Sequence, residues 1–335
     1  MCTGGVNAKN VNDYLGYDQI FAVGGTWMCK SDVIKAGDWA KITAQSKEAV
    51  DTMLGLRLHH VGINTGNEEE AMKVANLIGS LLNMKDIWDF AETADLRDVA
   101  DLLERQIRYN NAIAEEGLLG DYGANIGRVL LTTYGNDVSN RAKAKAAAGS
   151  DARMNGCELP VIINSGSGNQ GITSSVPVIV CARATGRSHE ELLRALAVAN
   201  LVTIHLKTGI GRLSAYCGAV SAGCGAAAGL AYLQGGDYDT VAHTVVNTVA
   251  MDSGIICDGA KASCAAKIAA AVDAGLLGLA MYRSGNQFFG GDGIVKKGVE
   301  NTIRNVSKMA HDGMAETDRE IIRLMIAPQE GVAGC

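Results

Sequence analysis

"DLRDVADLLERQIRYNNAIA", Asp95 to Ala114, places apolar side chains at Leu96, Val99, Leu102, Leu103 and Ile107. That spacing is close to the 3.6-residue period that turns one face of an α-helix toward a core. The same texture continues beyond it and predicts helices over Ile126–Leu131, Asn169–Ala184, His189–Leu206, Ser221–Leu233, Thr240–Met251, Cys264–Tyr282 and Gly293–Ala310. Three prolines against 41 glycines, with long Ala/Leu/Glu/Lys-rich stretches, fit helices joined by glycine-marked turns. Nothing from Asp86 onward alternates as a half-buried strand does. "RAKAKAAAGSDAR" (Arg141–Arg153) is alanine-rich and predicts a surface helix. The first 85 residues differ. "IFAVGG" (Ile20–Gly25) and "LRLHHVGIN" (Leu56–Asn64) predict short strands, each followed by a helical pattern. The change places a boundary near Asn83 to Lys85: a small α/β segment over 1–84, a mainly α domain over 85–327, and a tail over 328–335.

Composition narrows the function classes. A chain of 335 residues that is 47% hydrophobic can bury a sizeable core. Its net charge of −6, with no basic cluster interleaved with aromatics, argues against nucleic acid or an anionic membrane as partner and for a small molecule. The most apolar stretches, Ser175–Ala184 and Ile268–Tyr282, are short or carry a charge such as Asp273, so no bilayer span is expected. No basic region leads into an apolar run at the N-terminus, which argues against a secretory signal. The expectation is a cytoplasmic, reducing setting, where nine cysteines are thiols, thiolates or metal ligands. Self-association is left open.

The cysteines divide by context. Cys181, in "VPVIVCARA", is expected to be a small buried hydrophobe, and Cys157, in a turn after Asn155-Gly156, to be structural. Cys2, Cys29 and Cys335 receive no role. There remain Cys217 and Cys224 in "AYCGAVSAGCGAAAG", and Cys257 and Cys264 in "GIICDGAKASC" (Gly254–Cys264). Residues seven apart on a continuous helix are separated by roughly 10.5 Å, too far for neighbouring ligands of one compact cluster. The Asp258-Gly259 turn can fold Cys257 and Cys264 toward each other. Spacing alone leaves structural and metal-binding roles both open.

A second constellation is "NSGSGNQG" (Asn164–Gly171). Its glycines let backbone approach a ligand, and the following helix N-terminus offers N–H groups to a carboxylate. The plainer alternative is that Ser167 or Asn169 caps the helix. His205, alone on an apolar helix, is expected to be a core residue. Lys207, at the entrance of the loop before Cys217, could pair with a carboxylate or simply be exposed and solvated.

From about Asp86 to Met325 the chain resembles the C-terminal part of the L-cysteine desulfidase family, relatives of the alpha chain of iron–sulfur L-serine dehydratase. The residues that carry the resemblance are "LERQIRYNNAIAEEGLLGDYGANIG" (Leu103–Gly127), "AGSDARMNGCELPVIINSGSGNQGI" (Ala148–Ile172), "GRLSAYCGAVSAGCGAAAG" (Gly211–Gly229) and "CDGAKASC" (Cys257–Cys264). The resemblance implies a helical iron–sulfur domain in which Cys217, Cys257 and Cys264 hold a [4Fe–4S] cluster, with Cys224 as an apolar helix partner. A cubane held by three thiolates leaves one iron free as a Lewis acid toward a substrate oxygen or sulfur. The implied reaction turns L-cysteine and water into pyruvate, ammonia and hydrogen sulfide without pyridoxal phosphate. Ser165, Ser167 and Asn169 are the implied substrate donors, with Lys207 beside them. Tyr109, Asn110 and Glu116 fall in a further family motif that serves either packing or the site. The base that removes the Cα proton is unassigned.

Cys2–Ala49 resembles the C-terminal end of the 2-keto-3-deoxy-6-phosphogluconate and 4-hydroxy-2-oxoglutarate aldolases, a TIM-barrel family. Thr3-Gly4-Gly5 and Gly24-Gly25-Thr26 match the two turns that cradle the substrate phosphate there, with Thr26 where serine is usual. Met53–Leu82 resembles a small domain appended to some of these aldolases, and His59-His60 reads as strand surface. The aldolase's Schiff-base lysine would lie upstream, and about 50 residues cannot close a barrel of roughly 250. The "GCTEP"-like motif of complete desulfidases is likewise not in this sequence. The expectation is therefore an iron–sulfur lyase acting on L-cysteine, weakened by truncation and joined behind an aldolase remnant. The alternatives are an L-serine ammonia-lyase, a catalytically inactive cluster-binding module, and a keto-acid aldolase remnant.

Overall fold

A computed structural model describes residues 31–54, 81–211 and 214–327, together with the strand residues 2–3 and 23–24. The chain divides between Val74 and Ala75 into two compact units. In the first, β1 (Cys2–Thr3) and β2 (Val23–Gly24) run parallel, with Thr3 opposite Gly24. The two turns matched to phosphate binding thus leave from paired strand ends. Gly4, Gly5, Gly25 and Thr26 lie outside the described residues, as do Leu56–Asn64 and His59-His60. Helices α1 (Ser31–Lys35) and α2 (Trp39–Leu54) complete what is described of this unit, with Val33 buried.

The second unit is helical. It comprises α3 (Met84–Thr93), α4 (Ala100–Leu119), α5 (Ile126–Tyr134), α6 (Val138–Met154), α7 (Gly168–Ala184) and α8 (His189–Ile210). These are followed by α9 (Gly218–Leu233), α10 (Tyr238–Asp252), α11 (Cys264–Arg283), α12 (Val299–Lys308) and α13 (Ala315–Ile326). Polar caps fix several starts: the Asn83, Asp137 and Asp237 side chains accept from the first-turn N–H groups, and Ser188 with Glu191 forms a reciprocal capping box.

Three expectations need correction. The Asp95–Ala114 pattern becomes α-helix only from Ala100, because Asp95 accepts from the Arg97 N–H and caps a separate 3₁₀ turn over Leu96–Asp98. Leu103 and Ile107 from that pattern are buried, whereas Leu102 is exposed. The helix expected from Gly293 begins at Val299, after Gly298 with φ +86°, and it ends in a π turn over Met309–Gly313.

The third correction bears on the core. Arg141–Arg153 lies within α6, which is an interior helix rather than a surface one: Ala142, Ala144, Ala146, Ala147, Ala148, Ser150, Asp151 and Ala152 are all buried. Small side chains let neighbouring helices approach closely. A Cβ on Gly117 of α4 would fall 1.9 Å from the Ala148 carbonyl oxygen. Lys143 and Lys145 escape this core by reaching Asp273 at 2.7 Å and Glu115 at 3.1 Å.

Helix α9 follows the same rule at the centre of the unit, packed against α7, α8, α10 and α11. It is glycine- and alanine-rich and buried along nearly its whole length. A Cβ at Gly225 would stand 2.4 Å from the Ala199 carbonyl oxygen, so α8 and α9 touch backbone to backbone there. By length and composition α11 could cross a membrane. Here it packs on α6, α9 and α10, and its Asp273 is the partner of Lys143.

Candidate functional site

The two cysteine segments meet across a single antiparallel bridge between Tyr216 and Ile256. The Cys217 N–H donates to the Ile255 carbonyl at 3.1 Å, and the Cys257 N–H donates to the Ala215 carbonyl at 2.6 Å. Residues forty apart in sequence are thereby set side by side. The Cys217 and Cys257 thiols interact, and this interaction, helped by the Gly259 N–H and by Lys267 and Lys207, draws the Cys257 thiol down to about 6 against the desolvation that opposes it. Cys217 is pushed upward by the same interaction and by burial.

Two of the three thiols stand at helix starts. Cys217 is the N-cap residue of α9, and Cys264 is the first residue of α11. Helix N-termini stabilise negative charge. Between Cys257 and Cys264 the chain turns at Gly259, with φ +94°, and the Cys264 thiol donates to the Gly259 carbonyl at 3.6 Å. Met325 of α13 lies over that glycine. Lys267, one turn into α11, donates to the Ile256 carbonyl at 3.0 Å and pairs with Asp258. Desolvation works against ionising Asp258, yet the Lys261 and Lys267 ammonium groups hold it down to about 2. Lys207 is buried within α8 rather than exposed at a loop entrance. Desolvation lowers its pKa, while Cys257 and Cys217 pull the other way.

Among the described residues, no three His, Cys, Asp or Glu side chains converge as ligands of one ion would. A cubane differs from a lone ion, since each cysteine binds a separate iron corner. Three thiols on two adjoining segments, two helix N-termini and two lysines form a soft donor set with compensating positive charge, and this fits such a group. Cys224 lies in the core, its thiol 3.7 Å from the Val245 carbonyl, and Cys181 is buried.

The serine loop lies against the cysteine pair. Asn164 and Ser167 exchange backbone hydrogen bonds of 3.1 and 3.0 Å, closing a tight turn through Ser165 (φ +48°) and Gly166 (φ +83°). Two left-handed residues in succession are the type I′ arrangement, which glycine eases. Each predicted donor has an internal partner. Ser165 Oγ donates to Asn164 Oδ1 at 2.8 Å, Ser167 Oγ caps the Gln170 N–H at 3.4 Å, and Asn169 Oδ1 accepts from Arg153 at 3.3 Å. The loop touches the cysteine segment at Gly218, where a Cβ would fall 2.7 Å from Gln170 Cδ.

Behind the loop is a buried amide network. Asn110 both donates to the Ile162 carbonyl (3.1 Å) and accepts from the Ile162 N–H (2.8 Å), and it donates to Ser175 Oγ. Asn164 donates to Asn200 Oδ1 at 2.9 Å, and Asn200 exchanges paired bonds of 2.9 and 2.8 Å with Gln106. Asn110 thus braces the loop. Tyr109 instead carries Arg108 over its ring, and Glu116 accepts from Tyr122 at 2.9 Å. His205 pairs with Glu300 at 2.9 Å, tying α8 to α12. Two groups that no local pattern singles out lie here as well: Arg153 beside the α7 start, and Gln170, whose buried Oε1 has no hydrogen-bond partner among the described residues.

Serine dehydratase alpha chains share a sequence pattern that matches residues 37–323. The chain belongs to the serine dehydratase alpha chain family. A second pattern, that of the KDPG and KHG aldolases, matches residues 1–45. Among similar proteins, the UPF0597 protein of Desulfitobacterium hafniense is 64% identical over 246 residues, covering 73% of this chain and 57% of its own length. The UPF0597 protein of Lachnoclostridium phytofermentans is 52% identical over 281 residues, covering 83% of this chain and 67% of its own. That of Treponema denticola is 50% identical over 250 residues, covering 73% and 58%. The chain spans about three fifths of the length of these relatives. No solved structure matches it. The dehydratase pattern begins inside the aldolase-like segment, and the residues between 45 and 84 fall to it alone.

Proposed function

We propose that this chain supplies the cluster-binding part of an iron–sulfur lyase that converts L-cysteine and water to pyruvate, ammonia and hydrogen sulfide. The observation that carries the reading is the bridged Cys217–Cys257 pair with Cys264 at the adjoining helix start. Cys217, Cys257 and Cys264 would hold a [4Fe–4S] cluster, whose fourth iron, when the cluster is bound, supplies Lewis acidity toward a soft leaving group. Lys207 and Lys267 balance the negative charge of the thiolates. The serine loop presents the start of α7, a favourable place for a substrate carboxylate. Its brace of Asn110, Asn164 and Asn200 holds that start in one position without the ligand, so binding need not order it.

Anaerobic reconstitution followed by counting of iron and acid-labile sulfide tests this on wild type and on Cys257→Ala, with sulfide and pyruvate release from L-cysteine measured alongside. About four irons per chain, lost in the variant, with sulfide release, is the expected result. Pyruvate from L-serine without activity on L-cysteine would make the chain a serine ammonia-lyase. Iron without turnover of either amino acid would leave a cluster-binding module, and no iron in wild type would overturn the reading.

A further inference from the structure

Beside the α7 start stand a buried acceptor without a hydrogen-bond partner, which burial normally demands, and a half-buried cation without a counter-charge among the described residues. Gln170 is only 6% exposed, and its Oε1 accepts no hydrogen bond among the described residues. Its amide lies over Gly218, the residue after Cys217, and so stands between the α7 start and the thiol pair. Arg153, in the last turn of α6, crosses the same helix start: a Cβ on Gly168 would fall 2.3 Å from its Nε. Its guanidinium touches Asn169 Oδ1 and the Met154 sulfur, and among the described residues it pairs with no carboxylate. The N–H groups of Gly168 and Asn169 likewise donate to no acceptor among the described residues. The region thus combines a cation and free N–H donors on one side with an unpaired acceptor on the other.

We propose that Arg153 and Gln170 recognise the two charged ends of an α-amino acid: the guanidinium and the α7 N–H groups take the carboxylate, and Gln170 Oε1 accepts from the α-ammonium. The assignment rests on the lyase reading above and deepens it, because it makes the zwitterion the recognised unit. A carboxylate facing a guanidinium makes charge-assisted, geometrically specific bonds. An amide oxygen left unpaired in a desolvated place costs free energy until a donor arrives, so a ligand lacking the ammonium leaves that cost unrelieved. A 2-hydroxy acid or a simple carboxylic acid would be discriminated against on that ground.

The test uses the full chain, iron-loaded and iron-free, and titrates it calorimetrically with L-alanine, which has no leaving group, and with propionate, which has no ammonium. Wild type is expected to bind L-alanine more tightly than propionate. Gln170→Met should weaken L-alanine about tenfold or more and leave propionate unchanged, while Arg153→Met should weaken both. Equal weakening of both ligands by Gln170→Met, or no preference for L-alanine in wild type, overturns the proposal. Should Gln170→Met fail to fold, Gln170→Glu retains an acceptor: it must keep L-alanine affinity and lose propionate, and the reverse result overturns the assignment. Iron content separates the two readings. A chain that loads iron but shows no zwitterion preference keeps the cluster and loses the clamp, whereas one that shows the preference without iron does the opposite.

Discussion

The serine loop, which leads into Gln170 and so to its contact with Gly218, and the cysteine loop bridged to the residues before Gly218 are built on opposite principles. The serine loop, Asn164–Asn169, has its side chains and most of its backbone satisfied from within, through Asn110, Asn200 and the Ser167 cap. The cysteine loop, Ile255–Cys264, is anchored by two backbone bonds and otherwise organised by charge: a thiol with a lowered pKa, two lysines and Asp258. It begins just after Asp252, a carboxyl 8% exposed at the C-terminal end of α10 whose Oδ2 has no partner among the described residues. The serine loop is preorganised by hydrogen bonds, and the cysteine loop is held in a state that bound positive charge would complete.

The contrast can be broken from the serine side first. Asn110→Leu would orphan both backbone groups of Ile162 as well as Ser175, so it should cost roughly 3–5 kcal/mol in urea unfolding. A cost below about 1 kcal/mol would mean that the loop does not depend on its brace. On the cysteine side the larger effect is one of pH. Burial raises Asp252 from 3.8 to about 7, so its contribution to stability is fully present below the unfolded value and is lost as pH rises through about 7. Asp252→Asn should flatten that decline and leave the variant more stable than wild type by roughly 2–3 kcal/mol at pH 8, with no difference at pH 3. Equal melting curves at both pH values would refute the burial argument. The smallest effect is on the thiol pair. Lys207→Met in the iron-free chain should raise the alkylation pKa of Cys257 from about 6 by roughly one unit. An unchanged profile would show that Lys267 and the Cys217 thiol suffice.

The sequence disclosed the helices better than their environments. Periodicity located α7, α8, α9, α10 and α11 to within a few residues. It misplaced α6 because alanine, lysine and arginine in alternation look like a solvated face, whereas the side chains are small enough for neighbouring backbones to close over them. Lys207 was misjudged for a related reason: a lysine's burial depends on which helices flank it, and that is a property of the fold. Cys217 and Cys257 meet through one bridge forty residues apart, for which local pattern offers no sign; only the family resemblance put them together. Arg153 and Gln170 are illegible in the sequence because what distinguishes them, a missing counter-charge and a missing donor, is a property of the fold. Met53–Leu82, which resembles a small domain appended to some aldolases, also falls within the dehydratase pattern.

Helix α9, capped by Cys217, is wedged among four neighbours by residues too small to yield further. A helix in that situation cannot slide, tilt or fray at its first turn without parting the helices around it. The thiol at its head is therefore governed by the cooperativity of the whole unit. On heating, loss of the Cys217–Cys257 contact should coincide with the main melting transition and show no earlier transition of its own.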